Sequence, residues 1–142
     1  MPTRVRTATD ADAAQIAPLL GELGYPAPAA DVPQRLARVR AERGECLVAE
    51  DEAGALVALM TLARHDILHS ASPAAQITGL VVTAAARGSG TGRMLVEAAK
   101  AWARAAGCGR IAVTSAEHRA DAHAFYPACG MPYTGRRFSL SL

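Results

Sequence analysis

A glycine-rich segment between an apolar strand and a long amphipathic helix constrains this chain more than any other feature. The segment is Arg87-Gly88-Ser89-Gly90-Thr91-Gly92, and it follows Val81 and Val82. Glycine lets a backbone approach a ligand closely, and a helix N-terminus presents unpaired N–H groups and the positive end of the helix dipole. Arg87 and Arg93 add positive charge. The segment therefore predicts a cradle for a phosphate or pyrophosphate group, and a simple tight turn is the alternative.

Two common nucleotide-binding loops fit this segment poorly. A Walker A loop needs a Lys after its last glycine, and this loop contains none. A dinucleotide-binding loop has the pattern Gly-x-Gly-x-x-Gly, whereas the glycines here stand at positions 88, 90 and 92. The next predicted strand, Arg110–Thr114, also lacks an acidic residue that would hold a ribose.

The loop resembles the pyrophosphate loop of the GCN5-related N-acetyltransferase (GNAT) superfamily, whose pattern is Arg/Gln-x-x-Gly-x-Gly/Ala. Upstream, Ile77–Val82 is similar to the fourth strand of that family. Downstream, Ala122–Gly130 resembles its second signature, Ala-x-x-Phe-Tyr-x-x-x-Gly. The resemblance is sharp from residue 76 to residue 131 and looser over the rest of the chain. It implies an acyl-CoA-dependent N-acyltransferase that most commonly uses acetyl-CoA.

The resemblance also implies how the acyl-CoA is held. Backbone amides of the loop would bind the pyrophosphate, and the strand before the loop would splay from its neighbour and pair with the pantetheine arm. The residues that take the first role are Arg87, Gly88, Ser89, Gly90, Thr91, Gly92 and Arg93, and those that take the second are Leu80, Val81 and Val82.

Two catalytic roles follow from the same resemblance. The N–H of Val82 would polarise the thioester carbonyl, as a preorganised dipole does in an oxyanion hole. Tyr126 would contact the cofactor and protonate the departing CoA thiolate once charge develops on sulfur. Without the family pattern, Tyr126 would be interpreted as a half-buried helix residue with a satisfied hydroxyl.

Three residues near the second signature leave alternatives open. Many relatives carry Asn seven residues before the tyrosine, where this chain has Arg119, so that contact is lost or Arg119 reaches a phosphate instead. His123 lies one helical turn before Tyr126, and it either lines the cofactor groove or is a solvated surface residue. Pro127 lacks an N–H and disfavours helix at the residue before it, which predicts a kink or an early helix end near Tyr126.

The sequence does not identify a general base. The attacking amine must lose its proton, and relatives often provide a Glu on the fourth strand. The predicted strand Gln76–Val82 has no carboxylate. A water relayed to backbone carbonyls or to a nearby side chain is expected instead, and the candidates are Glu22, His65, Asp66, His69 and Glu117.

The order of predicted elements is β-α-α-β-β-β-α-β-α-β in one domain, residues 1–142. This order favours a single-domain α/β (α+β) sandwich of the GNAT type over a doubly wound parallel sheet. Its mixed, mainly antiparallel sheet would carry helices on both faces. The predicted strands are Arg4–Thr7, Cys46–Glu50, Ala55–Leu62, Gln76–Val82, Arg110–Ser115 and a last strand or hairpin in Tyr133–Leu142. The first predicted helix begins after Thr9 and ends at Leu23. The other predicted helices are Asp31–Arg43, Gly90–Gly107 and Asp121–Cys129.

Composition and charge narrow the functional classes. The formal net charge is only +2, and basic residues are not interleaved with aromatic ones, so no nucleic-acid partner is expected. No apolar run predicts a membrane span or a secretory signal, and three widely spaced cysteines suggest a reducing, cytoplasmic setting. The pair His65 and His69 has the spacing of a zinc helix, but Asp66 stands where such helices carry Glu, so no metal site is predicted.

These observations predict an acetyl-CoA-dependent N-acetyltransferase. An amine of a small molecule or peptide would attack the thioester directly in a ternary complex. The alternative is a catalytically inactive module that binds acyl-CoA as a sensor or interaction subunit. A homodimer is expected, because Phe138, Leu140 and Leu142 alternate with polar residues on a predicted edge strand, and exposed edges usually need a partner.

Overall fold

One mixed sheet organises the computed structural model of the chain, which describes residues 3–114, 120–135 and 137–142 and only the backbone of residues 120–123. The strand order is β1-β2-β3-β4-β5. The first four strands pair antiparallel with their neighbours, and β5 runs parallel to β4. The strands are β1 (Arg4–Thr7), β2 (Glu45–Glu50), β3 (Leu56–His65), β4 (Ala74–Val82) and β5 (Arg110–Val113), and the helices are α1 (Ala13–Leu23), α2 (Val32–Ala41), α3 (Thr91–Ala105) and α4 (Ala120–Ala128).

Helices cover both faces of this sheet. Because successive strand residues point to opposite faces, β2 contributes to two separate cores. Val48 lies in one core with Ile16 of α1 and residues of α2. Leu47 lies in the other with Leu95 and Val96 of α3. The predicted fold class is therefore confirmed.

A network of charged groups ties β1 to the start of α1. Arg6 donates two hydrogen bonds of 2.8 Å to the carboxylate of Asp12 and a third, of 3.1 Å, to Glu50 on β2. The N–H of Thr9 donates to the same Asp12 carboxylate at 2.8 Å. Asp12 is buried, and the hydrogen bonds from Arg6 lower the pKa of its carboxyl to about 2. This edge of the sheet is thus held by side chains as well as by backbone pairing.

Several helix and strand boundaries in the structure differ from those predicted from the sequence. β3 extends three residues beyond the predicted end at Leu62, and β4 begins at Ala74, so the loop between them is shorter than expected. α3 ends at Ala105, two residues before the predicted end at Gly107, and its buried stripe includes Ala99 and Ala103. Such shifts arise because burial depends on how a helix docks against the sheet, which periodicity alone does not specify.

A further expectation, the last strand or hairpin in Tyr133–Leu142, is wrong. No strand forms in residues 131–135 or 137–142, and the side chains of Phe138, Leu140 and Leu142 are exposed. A strand needs a hydrogen-bonded partner, and alternation of apolar residues does not provide one. The last helix does not stop before Pro127, because α4 continues through it to Ala128. A proline near a helix end removes only one backbone hydrogen bond.

Among the described residues, no helix is long and apolar enough to cross a membrane.

Candidate active site

The pairing of β4 with β5 stops partway along β4, and the space beside the rest of β4 is called the gap. Their parallel pairing runs from Ala74 opposite Arg110 to Ile77 opposite Val113, where the described strand β5 ends. β4 continues to Val82. Within the described residues, the edge of β4 after Ile77 therefore has no strand beside it, and its backbone groups are open to a ligand.

A β-bulge marks the point where this open edge begins. Thr61 of β3 lies opposite Gly79, but the next residue, Leu62, lies opposite Ile77, so Thr78 is an extra residue on β4. The hydroxyls of Thr61 and Thr78 are 2.6 Å apart. A Cβ on Gly79 would lie 3.1 Å from both a methyl group of Leu23 and the Thr61 hydroxyl, so only glycine fits comfortably here. A bulge bends its strand, so β4 changes direction locally at this point.

The N–H and C=O groups of alternate residues on the open edge face the gap. The N–H of Thr83 donates to the carbonyl of Val57 at 2.9 Å, which makes these two residues a hydrogen-bonded pair. Antiparallel pairs alternate between bonded and non-bonded, so the N–H groups of Leu80 and Val82 face away from β3. The carbonyl of Val82 faces the same way and accepts a 3.2 Å hydrogen bond from Nε of Arg87.

The loop after β4 presents a second set of N–H groups. Gly88 and Gly90 have φ angles of +79° and +88°, a left-handed conformation that glycine adopts without strain. The first hydrogen bond of α3 runs from the N–H of Met94 to the carbonyl of Gly90 at 3.0 Å. Within the described part of the chain, five earlier N–H groups donate to no protein acceptor, namely those of Gly88, Gly90, Thr91, Gly92 and Arg93. Such a cluster at a helix N-terminus is an anion-binding site.

Two hydroxyl groups hold the loop in this shape. The Oγ of Ser89 donates to the carbonyl of Ala86 and lies 2.8 Å from Oγ1 of Thr91. Thr91 is buried at the first position of α3. These hydrogen bonds fix the loop through its own side chains, which reduces the entropy that ordering it on binding would cost.

An aromatic pair on α4 lies against the start of α3. A Cβ placed on Gly92 would be 3.2 Å from the ring of Phe125 and 3.7 Å from a methyl group of Val82. The rings of Phe125 and Tyr126 are 5.1 Å apart and nearly perpendicular, at 71°. Gly92 thus permits Phe125 to approach both the loop and the open edge, and Tyr126 is half-buried directly beside it.

The chain matches a known protein family over most of its length. The model of the acetyltransferase (GNAT) family matches residues 13–131. The chain belongs to the GNAT family.

Individual relatives agree with this assignment. The chain is 36% identical over 136 residues to an aminoglycoside N(6')-acetyltransferase type 1 from Stenotrophomonas maltophilia, a match that covers 93% of this chain and 88% of the relative. A crystal structure described as a transcriptional regulator from Bacillus halodurans C-125 superposes with a TM-score of 0.88 at 27% identity, covering 99% of this chain and all (100%) of that one. The aminoglycoside N-acetyltransferase AAC(6')-Iy in complex with CoA has the same fold, with a TM-score of 0.87, 17% identity and coverage of 99% and 95%.

This GNAT protein is accordingly an acetyltransferase that uses acetyl-CoA and transfers the acetyl group to an amine. The predicted family, enzyme class and cosubstrate are confirmed. The alternative of an inactive binding module relied on Arg119 and on Pro127. Arg119 lies outside the described residues, and α4 continues through Pro127, so the aromatic pair remains on a helix.

The structure gathers most of the predicted cofactor residues of this GNAT protein around the gap. The edge residues Leu80–Val82 run directly into the loop. Tyr126 lies on α4 beside Phe125, whose ring is close to Gly92 of the loop. The prediction for Arg119 lies outside the described residues, as does the side chain of His123. Sequence reasoning singled out the N–H of Val82 and missed that of Leu80, although the alternation of a paired strand would have indicated both.

Two of the described candidates for a general base, His65 and Asp66, have side-chain partners outside the loop. His65 lies opposite the first residue of β4, and its Nε2 is 2.8 Å from the side-chain oxygen of Gln76. Asp66 pairs with Arg64 at 3.2 Å, and Glu22 and His69 are exposed. Glu117 lies outside the described residues.

The described cysteines and acidic groups of this GNAT protein indicate neither a nucleophile nor a metal site. Burial raises the pKa of the Cys46 thiol to about 12, so it remains protonated at neutral pH. Cys129 is also buried. Among the described residues, no three His, Cys, Asp or Glu side chains are grouped as metal ligands would be.

Proposed function

We propose that this GNAT enzyme binds acetyl-CoA along the open edge of β4 and acetylates a primary amine by direct attack within a ternary complex. One observation carries the proposal. The N–H groups of Leu80 and Val82 point into the gap and are continuous with the unpaired N–H groups of the loop. An extended pantetheine arm has amides that pair with such an edge, as an added strand does. Its pyrophosphate then lies at the N-terminus of α3.

In this proposal, two groups assist the chemistry. The N–H of Val82 donates to the thioester oxygen as the amine attacks, and that of Leu80 offers a second donor on the same edge. Tyr126 donates its phenolic proton to the sulfur as the carbon–sulfur bond breaks. Arg87 releases the carbonyl of Val82 when the arm arrives, and its guanidinium becomes available to the pyrophosphate with that of Arg93.

We place the acceptor on the sheet face beside the bulge, where α1 ends. Leu23 marks the end of that helix, and beyond it Thr78 and Ala112 are exposed. The hydroxyls of Thr61 and Thr78 and the side chain of Gln76 form a polar surface that suits an amine bearing hydroxyl groups. The relative from S. maltophilia is named for aminoglycosides, which makes amino sugars of that class the first acceptors to test. Water relays the amine proton to solvent.

We further propose that the chain acts as one domain, in the cytoplasm, and as a homodimer. The described cysteines are free thiols, which suits a reducing compartment. Phe138, Leu140 and Leu142 expose apolar side chains along the C-terminal segment, and pairing with a second copy would cover them. A monomer mass by light scattering at micromolar concentration contradicts the dimer.

The experiment that tests the activity measures CoA release with acetyl-CoA and a panel of amines: an aminoglycoside, a simple amino sugar, a polyamine, an amino acid and a peptide. Thiol release with at least one amine, and no acetylated protein by intact mass spectrometry, supports direct attack. Acetyl-CoA at 100 times its dissociation constant should also stabilise the fold by about 2.7 kcal/mol. An equal rise in melting temperature with NAD or ATP, or none with acetyl-CoA, contradicts the proposal.

A further inference from the structure

Lys100 makes a contact that the acetyl-transfer chemistry does not use directly. It is the only lysine in the chain, and the other fourteen basic side chains are arginines. Its Nζ donates to the backbone carbonyl of Cys129 at 2.7 Å and pairs with Glu97 at 3.2 Å. The side chain is only 20% exposed, so its stem lies against the protein and only its tip is wet.

The accepting carbonyl lies at the end of α4, a helix that has little stability of its own. α4 has nine residues, and Pro127 in its last turn has no N–H to donate. Gly130 follows in a left-handed conformation with φ +84°, and the N–H of Met131 returns to the carbonyl of Tyr126 at 3.0 Å. The last carbonyls of a helix lack intrahelical partners and form its negative pole. The ammonium group of Lys100 gives the Cys129 carbonyl a hydrogen-bond partner and places a positive charge at the negative end of the helix.

Lys100 makes the second of two described contacts that lie on either side of Tyr126, in addition to the apolar core that Cys129 shares with Leu95, Val96 and Ala99. The first is the approach of Phe125 to Gly92 in the opening turn of α3. On α4 these two contacts flank Tyr126, because they fall at Phe125 and at Cys129. Together with the apolar packing, these contacts fix the rotation of the short helix and therefore the direction of the tyrosine ring.

We infer that Lys100 is a positioning residue that acts through Tyr126. One end of α3 provides the N–H groups for the pyrophosphate, and the lysine two turns further along holds the helix that carries the acid. This inference rests on the proposed role of Tyr126 in acetyl transfer. Lys100 touches neither donor nor acceptor in this assignment.

The first test compares Lys100→Met with Glu97→Gln. Methionine keeps an apolar stem of similar length and removes the ammonium, whereas the control removes only the charge of the ion-pair partner. Loss of a hydrogen bond to a charged group should lower kcat for CoA release by about tenfold in Lys100→Met. The dissociation constant for acetyl-CoA, measured by calorimetry, should change by less than about twofold because the loop is untouched. Glu97→Gln should leave both values near those of the parent.

A double-mutant cycle with Tyr126→Phe then separates positioning from general structural support. If Lys100 acts through the phenol, Lys100→Met causes no further loss of kcat in the Tyr126→Phe background. An equal loss in both backgrounds overturns the inference, as does an unchanged kcat in Lys100→Met. If Lys100→Met does not fold, Lys100→Gln enters the same cycle, because it keeps an amide donor without the charge.

These outcomes remain distinct from failure of the proposed function. An absence of CoA release by the parent protein with every amine refutes the activity. An active parent whose Tyr126→Phe variant keeps full kcat refutes the role of the tyrosine, and with it the inference for Lys100.

Discussion

The two edges of the sheet are built in opposite ways. At the first edge, β1 is paired along its length and Arg6 links Asp12 of the first helical turn to Glu50 of the next strand. At the other side, the last residues of β4 have no strand paired with them on the β5 side in the described structure. The chain then continues into the glycine loop, whose N–H groups lack protein acceptors. The closed edge uses its polar groups for stability, whereas the open edge keeps them available for a ligand.

This contrast predicts that substitutions at the open edge change binding or turnover with little change in stability. Substitutions at the closed edge should do the reverse.

The largest effect is expected for Tyr126→Phe, which keeps the ring and removes the proposed acid. The turnover number should fall about 100-fold, within the range of a positioned general acid, while affinity for acetyl-CoA barely changes. Steady-state kinetics and calorimetry measure the two quantities, and an alkaline limb of the rate profile that is due to Tyr126 should shift or disappear. Weaker affinity at unchanged turnover would mean that the tyrosine only holds the cofactor.

Gly90→Asp should weaken acetyl-CoA binding by about 50-fold, or ~2.3 kcal/mol, because it puts a negative charge beside the proposed pyrophosphate position. Gly54→Asp is a matched control. Both glycines have positive φ, +88° and +83°, with no atom within 4 Å of an added Cβ, so backbone strain should be similar. Gly54 lies in the turn between β2 and β3, far along the chain from the loop. Equal affinities of the two folded variants would show that the loop is only a turn.

The closed edge should show its effect in acid. Hydrogen bonds from Arg6 hold the pKa of Asp12 at about 2 in the folded protein, below its ordinary value of 3.8. Its contribution is therefore complete above pH 3.8 and is lost as the pH falls through about 2. Asp12→Asn should lower the free energy of unfolding at neutral pH by about 2 kcal/mol and flatten its decline in acid.

Urea unfolding at several pH values measures the effect of Asp12→Asn, and the exposed neighbour Asp10 provides the control Asp10→Asn. Acetyl-CoA affinity should not change in either variant. A stability loss shared by both variants would contradict the assignment to the Arg6 network.

The smallest effect is expected for Thr78→Val on the proposed acceptor surface. Loss of one hydroxyl partner should raise KM for a hydroxylated amine about threefold, with kcat and acetyl-CoA affinity retained. Thr7→Val, on the closed edge, removes a strand threonine that is equally exposed. If Thr78→Val affects acetyl-CoA rather than the amine, the polar surface belongs to the donor site.

Local chemistry explains what could be predicted from the sequence. The glycine loop, the strand before it and the helix after it lie together in the chain, and a helix N-terminus has unpaired N–H groups wherever it occurs. The C-terminal strand was wrong because a strand requires a partner, which Phe138 and Leu140 do not find in the described residues. The contact of Lys100 with Cys129 joins residues 29 apart, and no local pattern indicates it.

The two attachments of α4 make α3 a spacer of fixed length. Gly92 and Lys100 are eight positions apart, so they are separated by about 12 Å along the helix axis. Every residue inserted between them would rotate one attachment relative to the other by about 100°. Exposed positions between them, such as Met94 and Glu97, therefore tolerate changes of side chain far better than a change in their number. Related chains should therefore preserve the number of residues between Gly92 and Lys100, even where their surface residues differ.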